Sequence, residues 1–133
     1  RIDEDIEIKT SDFSALSGLI EVRGIHPEHL PSGWVCEEYR YIRIDSIIYY
    51  AESYLKGQER IEYRCTIFPE ADLVVGGMEQ NEAGQEEKIG STKVYIASNI
   101  EKKMANWNRN LLNFSIYGNY TFEELQQFIL RNQ

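Results

Sequence analysis

The chain opens on an alternation in which Ile2, Ile6 and Ile8 are interleaved with Asp3, Glu4, Asp5 and Glu7, compatible with a short edge strand or a helix lead-in. Behind Thr10 and Ser11, both good N-caps, Phe13, Leu16, Leu19 and Ile20 recur at helical spacing. This predicts a short helix over residues 12–22, weakened by Gly18 and stopped at Gly24. Pro27, Pro31 and Gly33 rule out helix or strand over 26–33, which reads as a loop. Strand chemistry follows over 34–43, 46–55 and 60–68, with turns near Ile44-Asp45 and Lys56-Gly57-Gln58, and predicts an antiparallel meander. On the third of these strands Ile61, Tyr63, Cys65 and Ile67 share one face, opposite Glu62, Arg64 and Thr66. A three-residue loop at 56–58 sets Ile47, Tyr49, Ala51, Ser53 and Leu55 on that apolar face, whereas a two-residue loop puts Glu52 there instead. The first register is preferred, because a slip of one residue buries a carboxylate.

Pro69 closes that strand, residues 73–75 suit a short one, and 78–87 is polar and acidic enough for an exposed loop. A second group of strands is expected at 87–89, 93–97, 103–107 and 111–117, with turns at Gly90-Ser91, Ser98-Asn99 and Asn108-Arg109-Asn110. Thr121-Phe122-Glu123-Glu124 is a capping box that starts a last helix, whose Phe122, Leu125, Phe128 and Ile129 make one apolar stripe. The pattern is α+β: a twisted antiparallel sheet of about six or seven strands in two meanders, with a helix near each end of the chain packed on it.

The length, 133 residues, suits a single domain over 1–133 whose own core needs neither disulfide nor metal. Nine tyrosines and an aromatic content of 12% lean toward sheet. A net charge of -8 sets the protein's field against a phosphate backbone, so nucleic acid is excluded as a partner. No apolar stretch approaches the ~20 residues of a membrane span. The chain begins with Arg1, not Met, which is expected of a processed or trimmed piece whose anchor would lie outside this sequence.

Candidate chemistry is sparse. His26 and His29, with Glu28 between them, are the one histidine cluster that could offer ligands to zinc, but Pro27 forbids the helical alignment of the rings and no third histidine exists. A solvated loop is the better reading, so neither a metal nor any other cofactor is expected. Cys36 and Cys65 fall on the first and third strands of the meander, roughly 9 to 10 Å apart across a middle strand and beyond the ~7 Å reach of a disulfide. Cys65 reads as a small core hydrophobe. No nucleophile elbow brings a serine or cysteine to the two histidines, so no catalytic residue is expected. The acidic runs at 3–5 and 86–87 lack the glycine-turned ligand ladder of a calcium loop, and Gly76-Gly77 lacks the Lys-Ser/Thr of a phosphate loop. What stands out is tyrosine: in the preferred register Tyr39, Tyr41, Tyr50 and Tyr54 line the face opposite the core, the kind of aromatic surface that grips a peptide, a glycan or a partner protein. The alternative is that the helices cover it.

Leu30-Pro31-x-Gly33-Trp34 leading into a strand, Gly90-x-x-x-Val94-Tyr95, the tryptophan strand at Trp107, and Phe114-Ser115-Ile116-Tyr117-Gly118-Asn119-Tyr120-Thr121-x-Glu123-Glu124-Leu125 together resemble domain-of-unknown-function family 4367, over about residues 25–129. The resemblance implies an extracytoplasmic domain of a Gram-positive bacterial membrane-anchored protein, lipoprotein or anti-sigma-factor-like regulator, with no catalytic residues to carry over. It implies a non-enzymatic sensing or binding role with a protein, peptide or glycan of the cell envelope as partner. Two other classes remain: a carrier that holds a lipid or lipoprotein tail in an apolar cavity under a curved sheet, and a hydrolase. The strand order carries its own test. Denatured, unreduced protein is expected to gain two alkyl adducts by intact mass, one per thiol; a gain of none would mean a Cys36–Cys65 bridge and a different strand order.

Overall fold

The computed structural model describes residues 5–70 and 84–133. Eight strands, β1 (Ile6–Thr10), β2 (Trp34–Ile44), β3 (Ile47–Lys56), β4 (Glu59–Ile67), β5 (Gly84–Ile89), β6 (Thr92–Ser98), β7 (Lys103–Arg109) and β8 (Leu112–Gly118), form one antiparallel sheet. Its order is β1-β2-β3-β4-β8-β7-β6-β5, two four-stranded meanders joined where β4 meets β8. Among the described residues there are thus eight strands, not six or seven; the opening alternation supplies β1, an edge strand paired with β2. The strand expected at 73–75 lies outside the described residues, as does most of the loop expected at 78–87, whose described end is β5 and not loop.

The predicted helix over 12–22 is broken. Asp12 caps a three-residue 3-10 turn at Phe13–Ala15 by accepting from the Ser14 amide, and α1 is a single turn, Ile20–Arg23. Gly18 lies between the two, where a helix pays most for backbone freedom, and Leu16 and Val22 bury themselves from separate turns. The last helix, α2 (Phe122–Arg131), starts at the predicted capping box: the Thr121 hydroxyl accepts from the Glu124 amide while Glu124 accepts from that of Thr121. Its buried Leu125, Phe128 and Ile129 join the core on one face of the sheet. Glu124 also receives the Trp34 indole and the Lys56 ammonium, each at 3.0 Å. No helix among the described residues is long and apolar enough to cross a membrane.

The register between β3 and β4 is the opposite of the expected one. Lys56 pairs with Glu59 around a two-residue turn, Gly57-Gln58, so Tyr50 faces Cys65, Glu52 faces Tyr63 and Tyr54 faces Ile61. The core face therefore holds Ile48, Tyr50, Glu52 and Tyr54, and the exposed aromatic face is overturned: Tyr41, Tyr50 and Tyr54 are buried in the core and Tyr39 is packed half-buried against it. On β2 a bulge between Cys36 and Glu38 inserts Glu37, so that Cys36 and Tyr39, three residues apart, both face inward. Glu37 is spent on the outside, where it pairs with Arg60. The two cysteines are free, on strands separated by β3.

The join between the meanders is tight at Gly118, which faces Ile61 on one side and Lys103 on the other. With φ of +152°, a Cβ there would stand 2.9 Å from the Arg60 carbonyl oxygen and 2.9 Å from the Ile61 Cα, both backbone atoms that cannot swing aside. Gly118→Ala is expected to cost about 2 kcal/mol or more in urea unfolding, whereas Gly18→Ala, in open space, stays within about 0.5 kcal/mol. Equal midpoints for the two variants would show that the join has slack.

Candidate functional site

Glu52 is 1% exposed, on the core face of the sheet. Such a carboxylate costs several kcal/mol to bury unless donors surround it. Here they do, and two come from its own strand. The two-residue alternation that puts Glu52 inside also puts Tyr50 and Tyr54 inside, and both hydroxyls donate to it: Tyr50 to Oε2, and Tyr54 to Oε1 at 3.0 Å. His26 brings Nδ1 to Oε2 at 2.6 Å, and the Cys36 thiol lies 3.9 Å from Oε1. Burial, and next the Glu52 charge, raise Tyr50 and Tyr54 far above the ordinary phenol range, so both remain donors. The same two causes push the Cys36 thiol up to about 11. A thiol so placed stays protonated near neutrality and is no nucleophile.

His26 is therefore half-buried and held, not part of a solvated loop. Its ring stacks on Phe13 at 3.8 Å between centroids and lies 6.0 Å from Tyr39. His29 is exposed, so the structure does not bring the two histidines together, and no group of three or more His, Cys, Asp or Glu among the described residues is placed to hold a metal. The loop that carries them is fastened at three more points. The Tyr63 hydroxyl donates to the Ile25 carbonyl at 2.6 Å. Asn132, past the end of α2, accepts from the Glu28 and His29 amides at 2.9 and 3.0 Å and donates back to the His29 carbonyl at 2.7 Å.

This fastened loop is one wall of a cavity of about 620 Å³. Phe128, Ile129 and Asn132 form the helical wall, Tyr63, Trp107 and Phe114 belong to the sheet, and Thr92, Lys93 and Tyr95 face them from β6. The cavity exists because the sheet opens. β6 and β7 pair only over Tyr95–Ser98 and Lys103–Asn106, beside their connecting turn. Beyond it, Thr92, Lys93 and Val94 pair only with β5, and Trp107, Asn108 and Arg109 only with β8. The β5–β6 turn leans toward α2: a Cβ on Gly90 would stand 2.9 Å from Leu130 Cδ2. The β7–β8 hairpin holds itself together without β6. Asn106 donates to the Phe114 carbonyl at 2.9 Å and to Asn113 at 3.3 Å, Asn113 donates to Asn108 at 2.7 Å, and Trp107 stacks on Phe114 at 5.4 Å. Arg109 lies over the Phe114 ring at 5.0 Å. Lys93 and Arg109, both exposed at the opening, have no ion-pair partner among the described residues.

Of the tyrosines singled out in the sequence, Tyr50 and Tyr54 bind Glu52, Tyr41 donates to Glu21 of α1 at 2.9 Å, and Tyr39 packs beside Phe13 and His26. Sequence reasoning missed Glu52, Asn132 and the opening between β6 and β7. Glu52 had a signal, Tyr50-x-Glu52-x-Tyr54, which places a carboxylate and two phenols on one face whatever the register. No protein-family model matches the chain, and no curated protein matches it. A solved structure titled "Crystal structure of MucB in complex with MucA(peri)" is similar to it at 14% identity and a TM-score of 0.45, covering 80% of this chain and 34% of that one. The chain thus spans about a third of that structure's length, and no residue of the site is assigned from the likeness.

Glu52→Ala, which leaves two buried phenols and His26 without their acceptor, is expected to cost about 3 kcal/mol or more, and Tyr50→Phe about 1 kcal/mol. The tyrosines also give a pH dependence. Unfolded, they release protons near pH 10, while the folded chain retains them, so their contribution is full below that pH and lost as pH rises through and beyond it. The urea midpoint is expected to fall between pH 9 and 11, less steeply in Tyr50→Phe; parallel slopes for the two proteins would refute the role given to Tyr50.

Proposed function

We propose that this chain is a non-enzymatic binding domain of a cell-envelope protein, anchored through a segment outside this sequence, with the cavity between β6, β7 and α2 as its binding site. The observation that carries the reading is the open sheet: a cavity of about 620 Å³ with Trp107 and Phe114 stacked in it and two cations at its mouth. Ligand sites commonly combine such aromatic walls with a few convergent polar groups. The extracytoplasmic setting rests on the resemblance to family 4367. Tyr39, Tyr41, Tyr50 and Tyr54 enter the reading as positioning groups, holding α1, Phe13 and the loop 24–33 in place as a wall.

Against a hydrolase stand the two groups best suited to chemistry. The Cys36 thiol is raised, and His26 spends its Nδ1 on a carboxylate whose other donors are phenols. The carrier reading asks for apolar walls, and Lys93, Asn106, Asn108 and Arg109 all line this cavity. The test is a nuclear magnetic resonance titration with three probes: an acidic peptide pool, a chito-oligosaccharide and a short-chain phosphatidylglycerol. At least one probe is expected to shift the resonances of Lys93, Trp107 and Arg109 and to lose at least tenfold in affinity against Lys93→Glu/Arg109→Glu. Probes that shift only residues elsewhere, or bind the double variant equally, would sink the assignment.

A further inference from the structure

The geometry points to an extended acidic polypeptide as the occupant of the cleft, added as a strand along the free backbone edges of β6 and β7; this rests on the cleft's being the binding site. The first ground is the backbone. In an antiparallel sheet alternate residues direct both N–H and C=O to the same side. The trio Thr92, Lys93 and Val94 is paired with β5 on one side, and the trio Trp107, Asn108 and Arg109 with β8. Neither has a ladder partner across the cleft, so each presents strand hydrogen-bonding groups to it. Backbone donors and acceptors left without partners as a site loses water are costly, and another extended backbone matches their spacing, which a sugar ring or an acyl chain does not.

The second ground is charge. In a protein of net charge -8, Lys93 and Arg109 stand at the two edges of this opening without ion-pair partners among the described residues, two cations against the one acidic side chain of the same lining, Glu86. Carboxylates on the incoming segment would neutralise both, with Arg109 already oriented by its stacking on Phe114. The third ground is that the opening costs the free protein little. The asparagine bonds hold β7 to β8, and α2 holds the β5–β6 turn, so neither edge depends on closing against the other. A segment of about three residues, roughly 10 Å at ~3.3 Å per residue, spans each open trio.

The experiment selects random heptapeptides displayed on phage against the folded protein, with counter-selection on Lys93→Glu/Arg109→Glu, two exposed positions whose replacement is expected to leave the fold intact, checked by circular dichroism before selection. Selected sequences are expected to carry Asp or Glu, and a synthetic copy to bind the parent at least tenfold more tightly than the double variant. In the complex, amide exchange at 92–94 or 107–109 is expected to slow at least tenfold, and N-methylation of alternate peptide amides to weaken binding at least tenfold. Binding indifferent to N-methylation, protection confined to other residues, or no enrichment over the double variant would each overturn strand addition. If the oligosaccharide or the phospholipid shifts the cleft resonances while no peptide does, the occupant is wrong and the binding site stands; if no probe shifts them, both fall.

Discussion

A carboxylate taken out of water has to be met by donors wherever it goes, and Glu52 sets that condition for this molecule. Tyr50 and Tyr54 meet part of it from the same strand, and the remainder reaches across to His26, which belongs to a loop with no regular structure of its own. Through that ring the loop is tied to β3. Tyr63 and Asn132 then fasten the same loop to β4 and to the end of α2, so helix, loop and sheet are joined by polar bonds around a region otherwise filled by aromatic rings. Aromatic packing alone tolerates sliding; directional bonds to a buried charge do not. The wall they fix is the one that bounds the cleft.

Much of the architecture was legible because it is local. Alternation marked the strands, the Thr121 to Glu124 box marked the start of α2, and short turns that can only join neighbours marked the order within each meander, though not the join of β4 to β8. β1 was ambiguous for want of length: five residues of alternating isoleucine and charge fit either element until β2 supplies a partner. The register of β3 misled for a different reason. The rule that a buried carboxylate is a penalty holds only for an unpartnered one, and its partners sat two residues away on either side, on the same face. Once that face is turned inward, the tyrosines taken for a binding surface become the bonds that make it tolerable.

The cleft was not legible, because it arises from a contact that stops. Nothing in Thr92 to Val94 or in Trp107 to Arg109 says that the two stretches part; where they do, the β5–β6 turn lies close to Leu130 and Gln133, and asparagines bond β7 to β8. Net charge misleads here in the same way. A total of -8 describes the far field, whereas a group within a Debye length of the opening meets a local lining of two cations, Lys93 and Arg109, and one acidic side chain, Glu86.

The bulge in β2 bears on how such a chain can drift in length. Elsewhere in a paired strand, losing one residue turns every side chain beyond it from inside to outside, and lineages carrying the loss would not fold. At Glu37 the arithmetic is reversed: the ladder already runs from Cys36↔Tyr54 directly to Glu38↔Ser53, so removing the residue between them restores a regular strand with Cys36 and Tyr39 still inward. The strand can shed a residue there and regain it without any other position changing sides, and what changes is the local twist and the tie to Arg60. Among homologous sequences, a gap of one in this strand would fall at that position.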